Sequence, residues 1–532
     1  MQSTTYIKSP GLGKKLLKST AAFSLLTMLS RVLGYARDAI IFIVFGAGGA
    51  TDAFLVAFRL PNLMRRLFGE GALSQAFVPV FQEYKKHRSR TELHRFADCA
   101  AGTLGMILLV ITVVGILIAP VLIAIFAPGF IDEGDRFDLS AQMLRITFPY
   151  VLFISLTALA TGILNSYGHF GAPAFTPVLM NLSLITATLW AAPKMDEPIT
   201  ALAWGVLVAG IVQLSFIVLW LRRIDWTFGF RLDFRHKGVR RVGRLMLPAI
   251  FSSAIVQVNL LFDTLIASFL VAGSISWLYI SDRFVELPMG IFGIAISTVL
   301  LARLSAHRVA SNLKSFQQTM DWGVRAALML AFPCVVGLIV LAQPILISLI
   351  QYRQFTYDDT LMVSISLIAY ALGLPMFMLI KIFSCAFFAH QNTKLPMRIA
   401  VVAMLSNIAL NIVLVLLWQY IGWLAPHAAL ALATSLSALL NSFLLYRALV
   451  RHRIFRINTE TRVLIKKVLV AASLMGLLLM YLIHWLPDWN VWDAAYRVAA
   501  LAGTIILGAG FYFIVLLLLK VKLRETLHWN TQ

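Results

Sequence analysis

Apolar runs of twenty residues or more recur along nearly the whole chain, each closed by a short polar interval. A helix needs about 20 mainly apolar residues to cross a bilayer. By that measure the pattern predicts spans at 22–45, 50–83, 97–127, 138–165, 172–193, 198–221 and 242–271. A second series follows at 274–303, 318–343, 360–389, 396–418, 425–447, 465–486 and 494–520. This is an all-α polytopic membrane protein with about 14 transmembrane helices. The intervals alternate in character. The N-terminal tail, 84–95, 165–173, 221–241, 303–314, 390–398, 446–467 and the C-terminal tail are rich in Lys and Arg, with 165–173 the exception. Those at 45–51, 128–138, 193–200, near 272, 351–360, 418–427 and 484–497 are neutral or acidic, and several carry Trp and Tyr. Basic loops stay on the cytoplasmic side, so both termini are expected there. A wrongly divided helix would throw the alternation out of phase from that point on.

Composition supports this reading. The 532 residues are 60% hydrophobic and 13% charged, against about 45–50% and about 25% in soluble domains. No polar interval is long enough to build a soluble core. A net charge of +21 would suggest nucleic acid in a soluble protein. Here the excess lies in short loops, where it is an orientation signal, and no nucleic-acid partner is expected. The basic N-terminus leads straight into an apolar run without an A-x-A-like site, which reads as a first transmembrane helix and not a signal peptide. Cys99, Cys334 and Cys385 lie in or beside apolar segments without metal spacing, so neither a disulfide framework nor a zinc site is indicated. No P-loop is present, which excludes ATP as the energy source.

Charges interrupt the apolar pattern in a few places. The first two spans hold five arginines (Arg31, Arg37, Arg59, Arg65, Arg66) against three acids (Asp38, Asp52, Glu70). Asp282, Arg283 and Glu286 interrupt a later span, and Lys381 another. A charge at the bilayer centre costs at least ~2.5–3.5 kcal/mol, so it normally faces a partner or a wet cavity. At 100° per residue Arg31 and Asp38 share a stripe, and Asp52, Arg59, Arg66 and Glu70 share another, with Arg65 about 100° away. Internal pairing of Arg31 with Asp38, Arg66 with Glu70 and Arg283 with Glu286 is one reading. Snorkelling of Arg65 and Arg66 to the surface is a second. The third is a cavity for an anion: the arginines outnumber their acids, and a planar guanidinium binds phosphate oxygens in bidentate fashion. Asp263, Asn407 and Asn411 form a weaker set, able to hold Na⁺ through oxygen atoms or to link helices by hydrogen bonds.

The chain also echoes itself. Residues 50–81 and 274–305 both run from aromatic and small residues through a charge and Leu-Pro to a Gly/Ala-rich slope and a basic loop. This predicts two pseudo-symmetric six-helix lobes around a central cavity, 1–221 and 222–450, followed by a helix pair and tail at 451–532. In transporters built from parallel repeats the substrate site lies between the halves.

LSRVLGYARDAI (29–40), the run 45–81 with its TDAF, LPN, EGA and AFVP strings, 277–301 and FFAHQNTKLPMRIA (387–400) resemble the MurJ/MviN lipid II flippases of the multidrug/oligosaccharidyl-lipid/polysaccharide exporter superfamily. The resemblance runs over essentially the whole chain. It implies a multi-pass protein of the bacterial inner membrane that carries undecaprenyl-diphosphate-linked peptidoglycan precursor (lipid II) to the periplasmic leaflet by alternating access. The family's cavity arginines fall on Arg31, Arg37, Arg65 and Arg283. Its supporting charges fall on Asp52, Arg59, Glu70, Asp282, Glu286 and Lys381. Here the resemblance selects Arg65 where periodicity selects Arg66. It places possible Na⁺ ligands near Asp263, Asn407 and Asn411, with Na⁺, H⁺ or the membrane potential as the drive and no other cofactor. It implies lipid II and the phospholipid bilayer as partners, contact with the cell-wall synthesis machinery, and a monomer. Ala302 departs from the family, where Pro is frequent. No bond is broken, so no enzyme is expected. A flippase for another lipid-linked oligosaccharide, or a cation-coupled drug antiporter, is the alternative, but the antiporter needs an acidic or aromatic cavity. A membrane-embedded glycosyl polymerase needs a large outer loop, and the outer intervals are short.

Overall fold

The structure is a computed structural model that describes residues 10–66, 73–227 and 229–522. Among these, the regular secondary structure is helical throughout, and close contacts divide the chain into two units. The first comprises residues up to Phe45 and Gly49–Leu261. It contains α1 (Pro10–Phe45), α2 (Gly49–Met64), α3 (Leu73–His87), α4 (Arg90–Leu117), α5 (Ala119–Phe126), α6 (Gly134–Thr147), α7 (Tyr150–Ser166), α8 (Gly171–Thr186), α9 (Thr200–Arg222) and most of α10 (Lys237–Ala267). The second comprises Gly46–Gly48 and the chain from Phe262. It contains α11 (Ser274–Pro288), α12 (Ile294–Val309), α13 (Leu313–Val340), α14 (Ala342–Leu349), α15 (Tyr357–Ala371), α16 (Leu374–Ala389), α17 (Lys394–Ile421), α18 (Ala428–Arg451), α19 (Thr459–Trp485) and α20 (Ala494–Leu518). The division of close contacts falls inside α10, and α19 and α20 belong to the second unit.

Eleven helical segments among the described residues are long and apolar enough to cross a membrane, and they fall on eleven of the predicted intervals. The other three intervals are occupied by α1, by α2 with α3, and by α10. These carry the intramembrane charges or are divided, and only Gln257–Ala267 of α10 is a further, shorter apolar helix. Among the described residues, length and apolarity thus identify eleven of the fourteen predicted spans.

Prolines shape the helices that bear charge. Pro lacks an N–H, leaves a carbonyl one turn back unbonded, and so bends or widens a helix. Pro61 in α2 is followed by a wider π-type turn at Arg65 and Arg66. Pro288 ends α11 and is followed by another at Met289–Gly293. The Leu-Pro step of the internal echo has the same local outcome in each unit.

In the first unit α1 packs on α8, α2 on α6, and α7 on α9. Phe77, Phe81, Phe96 and Trp226 form the aromatic centre of a core that joins α3, α4, α7 and α9. His94 stacks on Trp226 with ring centroids 3.9 Å apart. Chain after Trp226 lies against α4, where Asp98 Oδ1 accepts a hydrogen bond from Gly229 N (2.8 Å). Gly102 makes that approach possible, since a Cβ there would collide with the Arg231 backbone carbonyl.

In the second unit α17 packs on α18, α11 on α15, and α13 on both α16 and α19. The C-terminal pair is anchored by polar contacts: Tyr512 Oη donates to Met329 O (2.8 Å), and Asp321 accepts from Asn458 Nδ2 (2.7 Å) and Thr461 Oγ1 (3.0 Å). At the start of α18, His427 is fully buried with Nε2 3.1 Å from Met362 O.

Candidate functional site

The charged residues of α1 and α2 separate into an inward and an outward set. Arg37 and Asp38 are both nearly buried. Arg37 Nε donates to Asp38 Oδ1 (2.9 Å) and Nη1 to Asn181 Oδ1 on α8 (3.1 Å). Asn181 also donates from Nδ2 to Ser30 O (2.9 Å), so one amide fixes both the arginine and the helix that carries it. The acid near Arg37 is therefore its own neighbour, and the expected Arg31–Asp38 pairing gives way to Arg37–Asp38. Asp52 is fully buried and accepts from Arg136 Nη2 of α6 (3.1 Å). Arg136 also donates to Glu133 (2.7 Å) and lies over the Phe130 ring at 4.2 Å.

The outward set is different. Arg31 is exposed on α1, and Arg59, Arg65 and Arg66 are half-buried. Arg65 Nε donates to Asn62 Oδ1 (3.0 Å), while Arg66 Nη1 lies 3.5 Å from Gln257 Oε1 of α10. The π-type turn at these two residues explains why a strict 3.6-residue stripe from Asp52 does not carry through to Arg66. Glu70 lies outside the described residues.

In the second unit Arg283 projects from α11 with a third of its side chain exposed. Its Nη1 donates to Glu286 Oε2 (3.0 Å) and its Nη2 to Tyr279 Oη (2.8 Å), with the guanidinium 4.9 Å from the Tyr279 ring centroid. Three residues at i−4, i and i+3 thus hold the fork along one face. The expected Arg283–Glu286 pair is present. Asp282 is half-buried beside it, and Lys381 is exposed on α16.

The structure also brings Asp263, Asn407 and Asn411 together. Asn411 Nδ2 donates to Asp263 Oδ1 (2.7 Å) and Asn407 Oδ1 (3.1 Å), and Asn407 Nδ2 to Thr434 Oγ1 on α18 (3.3 Å). Asn407 and Asn411 are almost completely buried, and Asn411 Oδ1 meets no hydrogen-bond donor among the described residues. A carboxylate, two amide oxygens and a hydroxyl form a hard-oxygen set that suits an alkali or alkaline-earth cation better than a transition metal.

The family model described as lipid II flippase MurJ matches residues 41–500. The chain belongs to the MurJ family. It is 40% identical over 519 residues to the probable lipid II flippase MurJ of Vibrio cholerae, covering 96% of this chain and 98% of that protein. The Haemophilus influenzae protein of the same name is also 40% identical, with 95% and 100% covered. The Burkholderia cenocepacia lipid II flippase MurJ is 38% identical, with 95% and 98% covered. A solved lipid II flippase MurJ in an inward closed conformation has a TM-score of 0.77 at 28% identity, covering 93% of this chain and 99% of that one. An inward-facing multidrug resistance transporter of the MATE family has a TM-score of 0.63 at 15% identity, covering 82% of this chain and 98% of its own, and shares the fold alone.

MurJ membership and the helices together make this a multi-span membrane protein. Several residues that complete the charged arrangement were not singled out by the sequence. Arg136 had a signal, as a cation in an otherwise acidic outer loop. Asn181, Gln257, Tyr279 and Thr434 had none, because nothing in an apolar helix marks which polar side chain meets a distant charge.

Proposed function

We propose that this chain moves lipid II from the cytoplasmic to the periplasmic leaflet, with its diphosphate held by intramembrane arginines. The observation that carries this reading is the retention of accessible cations, Arg31, Arg59, Arg65, Arg283 and Lys381, on helices otherwise built for lipid. Such charges are rare in spans and mark substrate pathways. Arg37 and Asp52 support the lobe through their buried partners, and Asp282 and Glu286 orient Arg283. Family membership supplies the substrate. The diphosphate is drawn to the guanidinium forks, the hydrophilic head group travels with it, and the polyprenyl tail stays in lipid. Alternating access of the two lobes then exposes the head group on the other side. The chain acts as a transporter, breaks no bond, works as a monomer beside the cell-wall machinery, and keeps both termini in the cytoplasm of a bacterial cell. In cells whose only flippase is this chain, depletion should remove lipid II that is labelled from outside while total lipid II rises. Unchanged external labelling would overturn the proposal.

Asp263, Asn407, Asn411 and Thr434 would hold Na⁺, with Asn411 Oδ1 as the oxygen in search of a partner. The ion would add fixed positive charge and tie α10, α17 and α18 together, and the membrane potential, worth about 2.3 kcal/mol per charge per 100 mV, would add to the drive. Na⁺, but not an equal concentration of choline, is expected to raise the thermal midpoint of the purified protein. Asp263→Ala should erase the difference. An equal response in the variant would dismiss the site.

A further inference from the structure

A cavity of about 430 Å³ lies in the second unit among α14, the start of α15 and the end of α19, apart from every residue assigned above. Gln343 and Ile347 of α14, Tyr357 of α15, and Asp488, Trp489 and Asn490 of the connection from α19 to α20 line it. That connection is braced. Arg497 of α20 donates to Trp492 O (2.8 Å), Asn490 O (2.9 Å) and Ile347 O (3.3 Å). Gln351 Nε2 donates to Asn490 Oδ1 (2.9 Å), and Asp488 Oδ1 accepts from Asn490 N and Nδ2 (both 3.0 Å). The cavity is therefore pre-formed, within the size range of small-molecule sites, and built from apolar walls with a few polar groups.

What the brace leaves unused defines the ligand. The Gln343 amide, the Tyr357 hydroxyl and the second oxygen of Asp488 have no hydrogen-bond partner among the described residues. Trp489 is 5% exposed, and its Nε1 meets no acceptor among the described residues. A buried N–H in that state is costly, so an oxygen from outside the chain is expected. An aromatic belt at the membrane interface accounts for Trp485, which is 72% exposed, but not for a buried indole beside a polar cavity. Charge and shape narrow the choice further. No Lys or Arg lines the cavity, so a phosphate finds no counter-charge. The single acid already accepts two hydrogen bonds, which weakens its pull on a cation. A sugar ring suits every group present. Each hydroxyl both donates and accepts, and the C–H faces of the ring can lie against Tyr357, Ile347 and Ile483. The intervals 351–360 and 484–497 are of the neutral or acidic kind, opposite the basic loops. We propose that this cavity binds a neutral saccharide on that side of the membrane. The assignment does not rest on the substrate reading.

The test uses the full-length protein in nanodiscs, free of sugar-based detergent, with N,N′-diacetylchitobiose as the probe and saturation-transfer NMR as the readout. The ring protons of the probe should be saturated, and excess cellobiose should compete. Tyr357→Ala should weaken binding about tenfold and Gln343→Ala about fivefold, each at an unchanged thermal midpoint. Tyr357→Phe, which keeps the ring, should lose less than alanine. The two residues lie on different helices, so if one variant fails to fold the other decides. Saturation no greater than with empty nanodiscs would overturn the proposal and leave a crevice for water alone. Saturation unmoved by the alanines would place the sugar elsewhere and overturn it as well. Tighter binding of the deacetylated, positively charged disaccharide would make this a cation site and refute the saccharide. Such rings reach that side on a carried head group or in the wall glycan, and external labelling of lipid II in Tyr357→Ala separates the sources: a loss assigns the former, unchanged labelling the latter.

Discussion

Arg283→Ala is expected to abolish outward movement of lipid II while leaving the fold intact. The side chains of Arg283 and Glu286 are 32% and 40% exposed, and a pair so open to solvent is worth about 0–1 kcal/mol. Removing Arg283 leaves Glu286 hydrated and Tyr279 on an otherwise unchanged helix, so the thermal midpoint should barely move. Transport has much more to lose. Truncating one member of a desolvated charge contact costs about 2–5 kcal/mol, or roughly thirtyfold to several thousandfold in binding. Lysine restores the charge but not the planar fork, so Arg283→Lys should recover part of the activity. External labelling of lipid II, measured beside total lipid II and protein level, gives the answer. Normal labelling with alanine at a normal protein level would remove Arg283 from the substrate path.

Arg136→Ala is expected to have the opposite profile, with loss of stability ahead of any specific loss of transport. Asp52 has no exposed side-chain surface, and that of Arg136 is 8% exposed. Breaking such a pair from one side strands a buried charge and costs about 3–5 kcal/mol. Arg136 adds its bond to Glu133, its place over Phe130 and its stem beside Gly49, where a Cβ would stand 3.1 Å from its Cδ. Asp52→Ala should cost a comparable amount. Asp52→Leu combined with Arg136→Met should recover much of either loss, because neither charge is then left alone. A double-mutant cycle on thermal midpoints in detergent measures the coupling. If Arg136→Ala unfolds at the wild-type temperature yet no longer transports, the pair serves the substrate and not the lobe.

The contrast between Arg283 and Asp52 shows where sequence reasoning reached its limit. Both read as charges stranded in apolar helix, and the family resemblance placed both near the substrate. Only the structure separates a half-exposed fork from a fully buried carboxylate, because the partner of Asp52 lies 84 residues away. The Arg37–Asn181 contact spans 144 residues and was hidden for the same reason. Asp263, Asn407 and Asn411 were foreseen as a group, since two share a helix face, whereas Thr434 of the next helix emerged only from packing. Pro61 and Pro288 were legible as bends, but the extra turn width that shifts Arg65 and Arg66 off a simple stripe was not.

Some properties of this protein follow from the chain alone: a membrane-embedded helical fold, the positions of most of its spans, the alternating charge of its loops, and the arginines that interrupt its apolar runs. These are one-dimensional quantities, set by run length, local apolarity and the sign of short loops against a bilayer of fixed thickness. Tertiary structure decided which charges are buried and which stay accessible, where the contact boundary falls within α10, and that α19 and α20 join the second unit through α13. Those outcomes depend on which faces of distant helices meet. In a lipid-solvated chain nearly every face is apolar, and the sequence pattern that identifies a helix's inner side in water is largely missing.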